Sequence, residues 1–341
     1  MTRTVLLFTL LGGFVAVNAA AQNSARNLSC YQEMQALMQS KTTLKAALDF
    51  ESAPLCAQQM TRSVATLVPK KNLKKNDLGG NYSIQAPTFG KAHDLCAGEL
   101  HAGNKVLSAC SGVLISENRV LTTGRCLKEF HEKSPDLKAL CDNFYVVFDY
   151  FIGASDLAPK QVYTCRTIPL VDYNTRVLTQ DLALIELDRL VQDREPVRIA
   201  KKEVTIGQSL LMSSSPSGLP VSVSTGAIQE NLRDSRGRLY HRAMLQSYYG
   251  NVGAPVFHPE TAELVGLVKE AAVPGDDSVP RKKVGNCYKI KDYIEARKKN
   301  GRLEGDVIIP TVSISPAFFE AVKVRAPASF NRPAAPAPAG R

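Results

Sequence analysis

From about residue 85 to residue 305 the chain falls into short runs that alternate or are rich in β-branched residues. They read KVLSACSGVLIS, FYVVFDYFI, QVYTCRTIPL, LALIEL, VSVSTGAIQ and LVGLVKE, and turn-forming residues separate them. Successive side chains of a strand point to opposite faces, so runs of this kind suit sheets buried on one face or both. No helical period intervenes, and many short strands of this type close into sandwiches or barrels. The span has room for two small barrels in series, so the fold class expected is all-β.

Both flanks differ in texture. The chain opens with Arg3, an apolar run from Val5 to Val17 and the small residues Ala19, Ala20 and Ala21. That run is short for a membrane span and ends at a cleavage-like site, so residues 1–21 read as a secretory signal peptide. Residues 22–84 are expected to form a helical extension and a basic linker. YQEMQALMQ, LKAALDF and CAQQMTRSVATLV carry apolar residues at three and four spacing, and PKKNLKKNDLGGN follows. IEARKKNGRLEG is expected to close the β region with a helix and a turn. Residues 306–341 become rich in proline and alanine and read as a disordered tail.

Eight cysteines lie beyond the leader: Cys30, Cys56, Cys96, Cys110, Cys126, Cys141, Cys165 and Cys287. An even number in an exported chain favours disulfides, and the absence of any CxxC pair argues against zinc. Secreted or periplasmic placement follows, with no transmembrane anchor after signal cleavage. No cofactor-binding motif or metal motif is present.

Three segments carry the chemistry: CSGVLISENRVLTTGRC (Cys110–Cys126), QDLALIELDR (Gln180–Arg189) and GNVGAPVF (Gly250–Phe257). Their order and spacing, with SSPSGLPVSVSTGAI (Ser214–Ile228) between the last two, resemble the trypsin-like serine proteases of the chymotrypsin superfamily. The likeness is nearer to the secreted bacterial members and covers roughly residues 90 to 290. It implies two six-stranded antiparallel β-barrels, here with a short helical N-terminal extension, and the disulfide Cys110–Cys126. The pair Cys141–Cys165 is expected from neighbouring strands. Cys30 and Cys56 bracket the helical region, which leaves Cys96–Cys287.

Such proteases attack an amide with a serine, a histidine that takes its proton and an aspartate that orients the histidine. Carried over by motif, Asp181 is the retained acid, Arg125 stands at the histidine position and Val252 at the serine position. Gly250 is the candidate backbone donor of an oxyanion hole. Arginine stays protonated near neutral pH and cannot act as a base, and valine has no nucleophilic atom. His131, His241, His258 and Ser247 are misplaced for a rescue, because triad groups must meet at hydrogen-bond distance. Lys269, Glu270 and Ala271 stand where small residues would admit a peptide, and Tyr248 and Tyr249 are expected to crowd the same place. An aspartate buried without imidazole or counter-charge is costly, so the Arg125 guanidinium is expected within salt-bridge reach of Asp181.

The basic clusters Lys70, Lys71, Lys74 and Lys75, then Arg281, Lys282 and Lys283, then Arg297, Lys298 and Lys299, make an anionic surface a candidate partner. No aromatic-interleaved motif accompanies them, which argues against specific nucleic acid. The reading is a secreted, catalytically inactive serine protease homologue that binds a protein or peptide ligand or regulates a partner. A serine-type endopeptidase with an atypical site and a structural envelope protein stay open as alternatives.

Overall fold

The structure is a computed structural model that describes residues 31–34, 54–77, 80–108, 110–130, 137–174, 176–245, 247–248, 250–271, 279, 281–291, 298–299, 302–303, 305–314 and 318. The chain builds two closed barrels of six strands each, with every neighbouring pair antiparallel. β1 (Val64–Pro69) opens the first barrel, and β2 (Leu73–Lys75) and β3 (Tyr82–Ile84) leave it for a small sheet. β4 (Cys110–Ser116), β5 (Arg119–Thr122) and β6 (Phe144–Phe148) return to the barrel. β7 (Asp156–Leu157) completes the small sheet, and β8 (Val162–Tyr173) with β9 (Asp181–Leu187) closes the barrel in the order β1-β4-β5-β9-β8-β6.

The second barrel begins with β10 (Ser209–Ser214), β11 (Ser222–Arg233), β12 (Leu239–Ala243), β13 (Pro255–Phe257) and β14 (Leu264–Glu270). Two small hairpins follow, β15 (Arg281–Val284) with β16 (Cys287–Ile290), and β17 (Lys298–Lys299) with β18 (Arg302–Leu303). β19 (Asp306–Pro310) then returns to close the ring β10-β11-β12-β19-β14-β13.

The strand period places the two barrels against each other. All six strands of the first barrel contribute to one cluster, which holds Leu67, Leu114, Val120, Val146, Tyr163, Ala183 and Ile185. All six of the second contribute to another, with Leu210, Met212, Ile228, Ala243, Val256, Val268 and Ile308. The alternate residues Val113, Leu121 and Leu184 join Leu211, Val223, Phe257, Leu267 and Ile309 in a third cluster shared by both barrels. This is why β4, β5 and β9 are buried on both faces.

Two expected boundaries are corrected. Val64–Pro69, expected in the helical extension, and Asp306–Pro310, expected in the tail, are each a barrel strand outside residues 85–305. VATLV continues the apolar spacing of the helix Leu55–Arg62, and one residue, Ser63 in helical geometry, marks the change. Its β-branched and apolar side chains are then buried on both faces, so alternation cannot announce the strand. DVIIP is likewise buried throughout but lies in a proline-rich neighbourhood. The basic linker is not structureless either: Leu73–Lys75 pairs with β3 in the small sheet. Lys298–Lys299 pairs with Arg302–Leu303 in a segment where a helix and a turn were expected.

The helix Leu55–Arg62 sends Ala57 and Met60 into the shared cluster, and residues 31–34 are helical. The expected signal peptide and most of the expected tail lie outside the described residues. No helix among the described residues is long and apolar enough to cross a membrane.

Cys110–Cys126, Cys141–Cys165 and Cys96–Cys287 are bonded as expected. Cys56 is disulfide-bonded too, while its expected partner Cys30 lies outside the described residues.

Candidate functional site

Arg125 sits in the first turn of a short helix, Gly124–Glu129, that starts where β5 ends. Thr123 caps this helix by accepting a hydrogen bond from the Cys126 N–H. The turn presses against the start of β9, where Asp181 is fully buried. A Cβ at Gly124 would lie 2.7 Å from Tyr173 Cβ and 3.3 Å from Asp181 Oδ1, so the approach of helix to carboxylate requires glycine. The Arg125 backbone N–H donates to Asp181 Oδ1 at 2.7 Å.

The guanidinium lies within salt-bridge reach of Asp181, as expected, but gives its hydrogen bond to Glu270. Its Nη2 donates to Glu270 Oε1 at 3.2 Å, while Nε is 4.0 Å from Asp181 Oδ2. The latter is an ion-pair distance but not a hydrogen bond. The side chain thus lies within electrostatic reach of Asp181, with its one hydrogen bond among the described residues given to the second barrel. The reason is local: the amide at the helix start already takes Oδ1, and the stem, about one-third exposed, reaches across to the end of β14. Asp181 Oδ2 has no hydrogen-bond partner among the described residues.

Lys269 completes the cluster. It is the extra residue where the pairing of β14 with β19 shifts between Val268 and Glu270. Its side chain is buried, with Nζ 3.7 Å from Glu270 Oε1. Burial pushes the Asp181 carboxyl above its usual value. The Arg125 amide and the charges of Lys269 and Arg125 oppose that shift, and Glu270 adds to it. Two cations and two carboxylates thus share the seam between the barrels. Lys269 and Glu270 are residues that sequence reading places in the substrate strand but does not recognise as partners of Asp181. A Lys-Glu pair ending an otherwise apolar strand was the signal.

Val252 lies in a glycine turn between β12 and β13. Gly250 and Gly253 have φ of 89° and 82°, a region that glycine adopts freely and other residues rarely do. A Cβ at Gly253 would come 2.2 Å from Ser111 O. Ser111 stitches the turn to the first barrel: its N–H donates to Val252 O at 3.0 Å and its hydroxyl to Gly250 O at 3.1 Å. The Gly253 N–H donates to Val268 O at 2.8 Å. The Val252 side chain packs on the core of the first barrel, and its carbonyl is 3.2 Å from Cys126 Sγ. That contact is not a hydrogen bond, since a disulfide sulfur carries no proton. The fold therefore brings Arg125, Asp181, Gly250 and Val252 to one seam from both barrels.

The other residues considered for a rescue are engaged elsewhere. Ser247 donates to the buried Asp306. His241 is fully buried, shares a 2.7 Å hydrogen bond with Asn231 Oδ1 and is pushed down to about 4 by burial. His258 Nδ1 accepts from the Glu260 N–H at 3.3 Å. His131 lies outside the described residues, as does Tyr249. Tyr248 is buried in a small core with Phe89, Leu219 and Val279. Among the described residues, no group of three or more His, Cys, Asp or Glu side chains could hold a metal ion.

Two closed six-stranded barrels, joined through a shared apolar cluster and a charged seam, define the trypsin-like double-barrel class. The chain belongs to the Trypsin family: the model of that family matches residues 89–282, more than half of it. Among solved structures it is similar to Rv3671c from M. tuberculosis H37Rv, as a serine mutant in its inactive form. Identity is 14%, coverage 84% of this chain and 97% of that one, and the TM-score 0.44. The active form of the Rv3671c protease from M. tuberculosis shares 15% identity over 76% of this chain and 80% of that one, with a TM-score of 0.41. The serine endoprotease from Yersinia pestis shares 13% over 79% and 66%, with a TM-score of 0.44. No curated protein matches the chain.

Proposed function

We propose that this trypsin-family protein has lost peptidase chemistry and acts, outside the cytoplasm, as a binding or regulatory protein. The observation that carries this reading is the occupancy of the seam. Arg125 bonds Asp181 through its amide and Glu270 through its guanidinium, and Val252 packs on the core beside them. An aspartate that orients a histidine needs an imidazole N–H at its free oxygen, and Asp181 Oδ2 has cations near it instead. Nothing at positions 125 or 252 can take a proton or attack a carbonyl. Removing either the base or the nucleophile of such a site costs several orders of magnitude in rate. Two disulfides in the first barrel and a third that ties Cys96 to the β15–β16 hairpin fit an oxidising compartment, which supports secreted or periplasmic placement and a processed leader.

The test is fluorophosphonate labelling of the purified protein, run beside hydrolysis of activated esters and a peptide library. Neither label nor turnover is expected. A serine labelled in stoichiometric yield would overturn the reading and favour an endopeptidase with an atypical site.

A further inference from the structure

Away from the seam, the second barrel carries a polar pocket of ≈ 530 Å³, lined by Lys201, Glu203, Arg233, Arg238, Leu239, Val312 and Ser313. None of these residues belongs to the charged seam. Three cations and one acid face the space. Among the described residues, none of the four forms an ion pair. Three cations facing one acid leave an excess of positive charge, and an anion placed among them relieves the cations' repulsion.

The walls are fixed. Arg233 ends β11 and donates through Nη1 to Gly237 O at 2.7 Å. The turn between Arg233 and Arg238 is organised by Asp234, whose carboxylate accepts from the Arg236 and Arg238 N–H groups at 2.8 and 3.0 Å. Its other oxygen accepts from the Thr179 hydroxyl at 2.6 Å, tying the turn to the first barrel. Those bonds occupy the acid nearest in sequence to the two arginines. On the second wall, Ala200 is held by Leu264 O and by the Thr311 hydroxyl. Val204 O accepts from the Asn231 side chain, so Lys201 and Glu203 project from a segment pinned at both ends. On the third wall, the Ser313 hydroxyl donates to Leu239 O at 2.8 Å.

Guanidinium groups bind phosphate oxygens with paired, charge-assisted hydrogen bonds, and a pre-set frame lowers the ordering cost of binding. We propose that Lys201, Arg233 and Arg238 form a binding site for a phosphate monoester or diester group, carried on a sugar or on a lipid headgroup. Glu203 sets the rim, where it accepts a hydroxyl of the same ligand. The inference is independent of whether the seam is catalytically silent.

Calorimetric titration of the full protein with inorganic phosphate, glucose 6-phosphate and glucose tests the free source. Co-sedimentation with phosphatidylcholine vesicles, with and without phosphatidylglycerol, tests the lipid source. Binding in either phosphate arm is expected to weaken at least tenfold in Arg233→Ala/Arg238→Ala. It should be unchanged in Lys282→Ala/Lys289→Ala, which removes two cations from the β15–β16 hairpin. If the double arginine variant melts at a lower temperature, Lys201→Glu at an exposed position serves in its place and should give the same loss. Binding to sugar phosphate alone assigns the free ester, and binding to anionic vesicles alone assigns the headgroup. Absence of binding in both arms, or equal weakening by the hairpin variant, overturns the site.

Discussion

At the scale of single residues, two buried groups resist charging, and their consequences for stability run in opposite directions with pH. His241 is neutral in the fold and takes its proton only near 4, whereas an unfolded histidine takes it near 6.5. Between those values the unfolded chain binds more protons, so stability falls as the pH drops from 6.5 towards 4, by about 3 kcal/mol in all. His241→Gln should flatten that part of a urea-denaturation pH series, and an unchanged slope would refute the assignment. Asp181 has the opposite sign. Its folded value lies above 3.8, so this group's contribution is greatest in acid and declines as the pH rises through the window above 3.8. Lys269 offsets part of that decline. Lys269→Met should therefore cost about 1 kcal/mol near neutral pH, because Asp181 loses a nearby cation that favours its charged form. Asp181→Asn should cost less, because its amide oxygen still accepts the Arg125 N–H. Together the two changes should cost clearly less than their sum. Additivity within about 0.5 kcal/mol would show that the two side chains do not interact.

At the scale of elements, legibility depended on what flanks a strand in sequence. LALIEL became β9 and LVGLVKE became β14 where expected, because apolar runs between turns are strong signals. VATLV and DVIIP are buried on both faces as β9 and β14 are, but a helical pattern precedes the first and a proline-rich segment follows the second, so no turn signals frame them. The correction has a measurable consequence. A chain cut to residues 85–305 lacks β1 and β19, and each barrel would then hold an open edge beside an exposed apolar core. Such a chain should lose near-ultraviolet circular dichroism and bind a hydrophobic dye, while one spanning residues 22–318 should keep native spectra. Native spectra from the shorter chain would mean that neither strand is needed for closure.

At the scale of the whole molecule, the seam is where sequence reading stopped short. Arg125, Asp181, Gly250 and Val252 could be placed by motif. The role of Lys269 could not, since its electrostatic reach to Asp181 depends on how β14 of one barrel faces β9 of the other. That reach decides what reversal would require. Installing Arg125→His and Val252→Ser supplies a base and a nucleophile, and the imidazole must then become cationic during attack. Lys269 holds a positive charge beside the same carboxylate and disfavours the imidazolium, since like charges in a poorly solvated site repel strongly. The double variant should therefore show ester hydrolysis barely above background. Adding Lys269→Met removes the competing cation and leaves Asp181 to stabilise the imidazolium alone. The triple variant should turn over an activated ester at least tenfold faster than the double and should take up a fluorophosphonate label at position 252. Its pH profile should rise with the deprotonation of the new histidine, which separates triad chemistry from nonspecific hydrolysis. Equal rates in the double and triple variants would mean that the charge at Lys269 does not oppose the histidine.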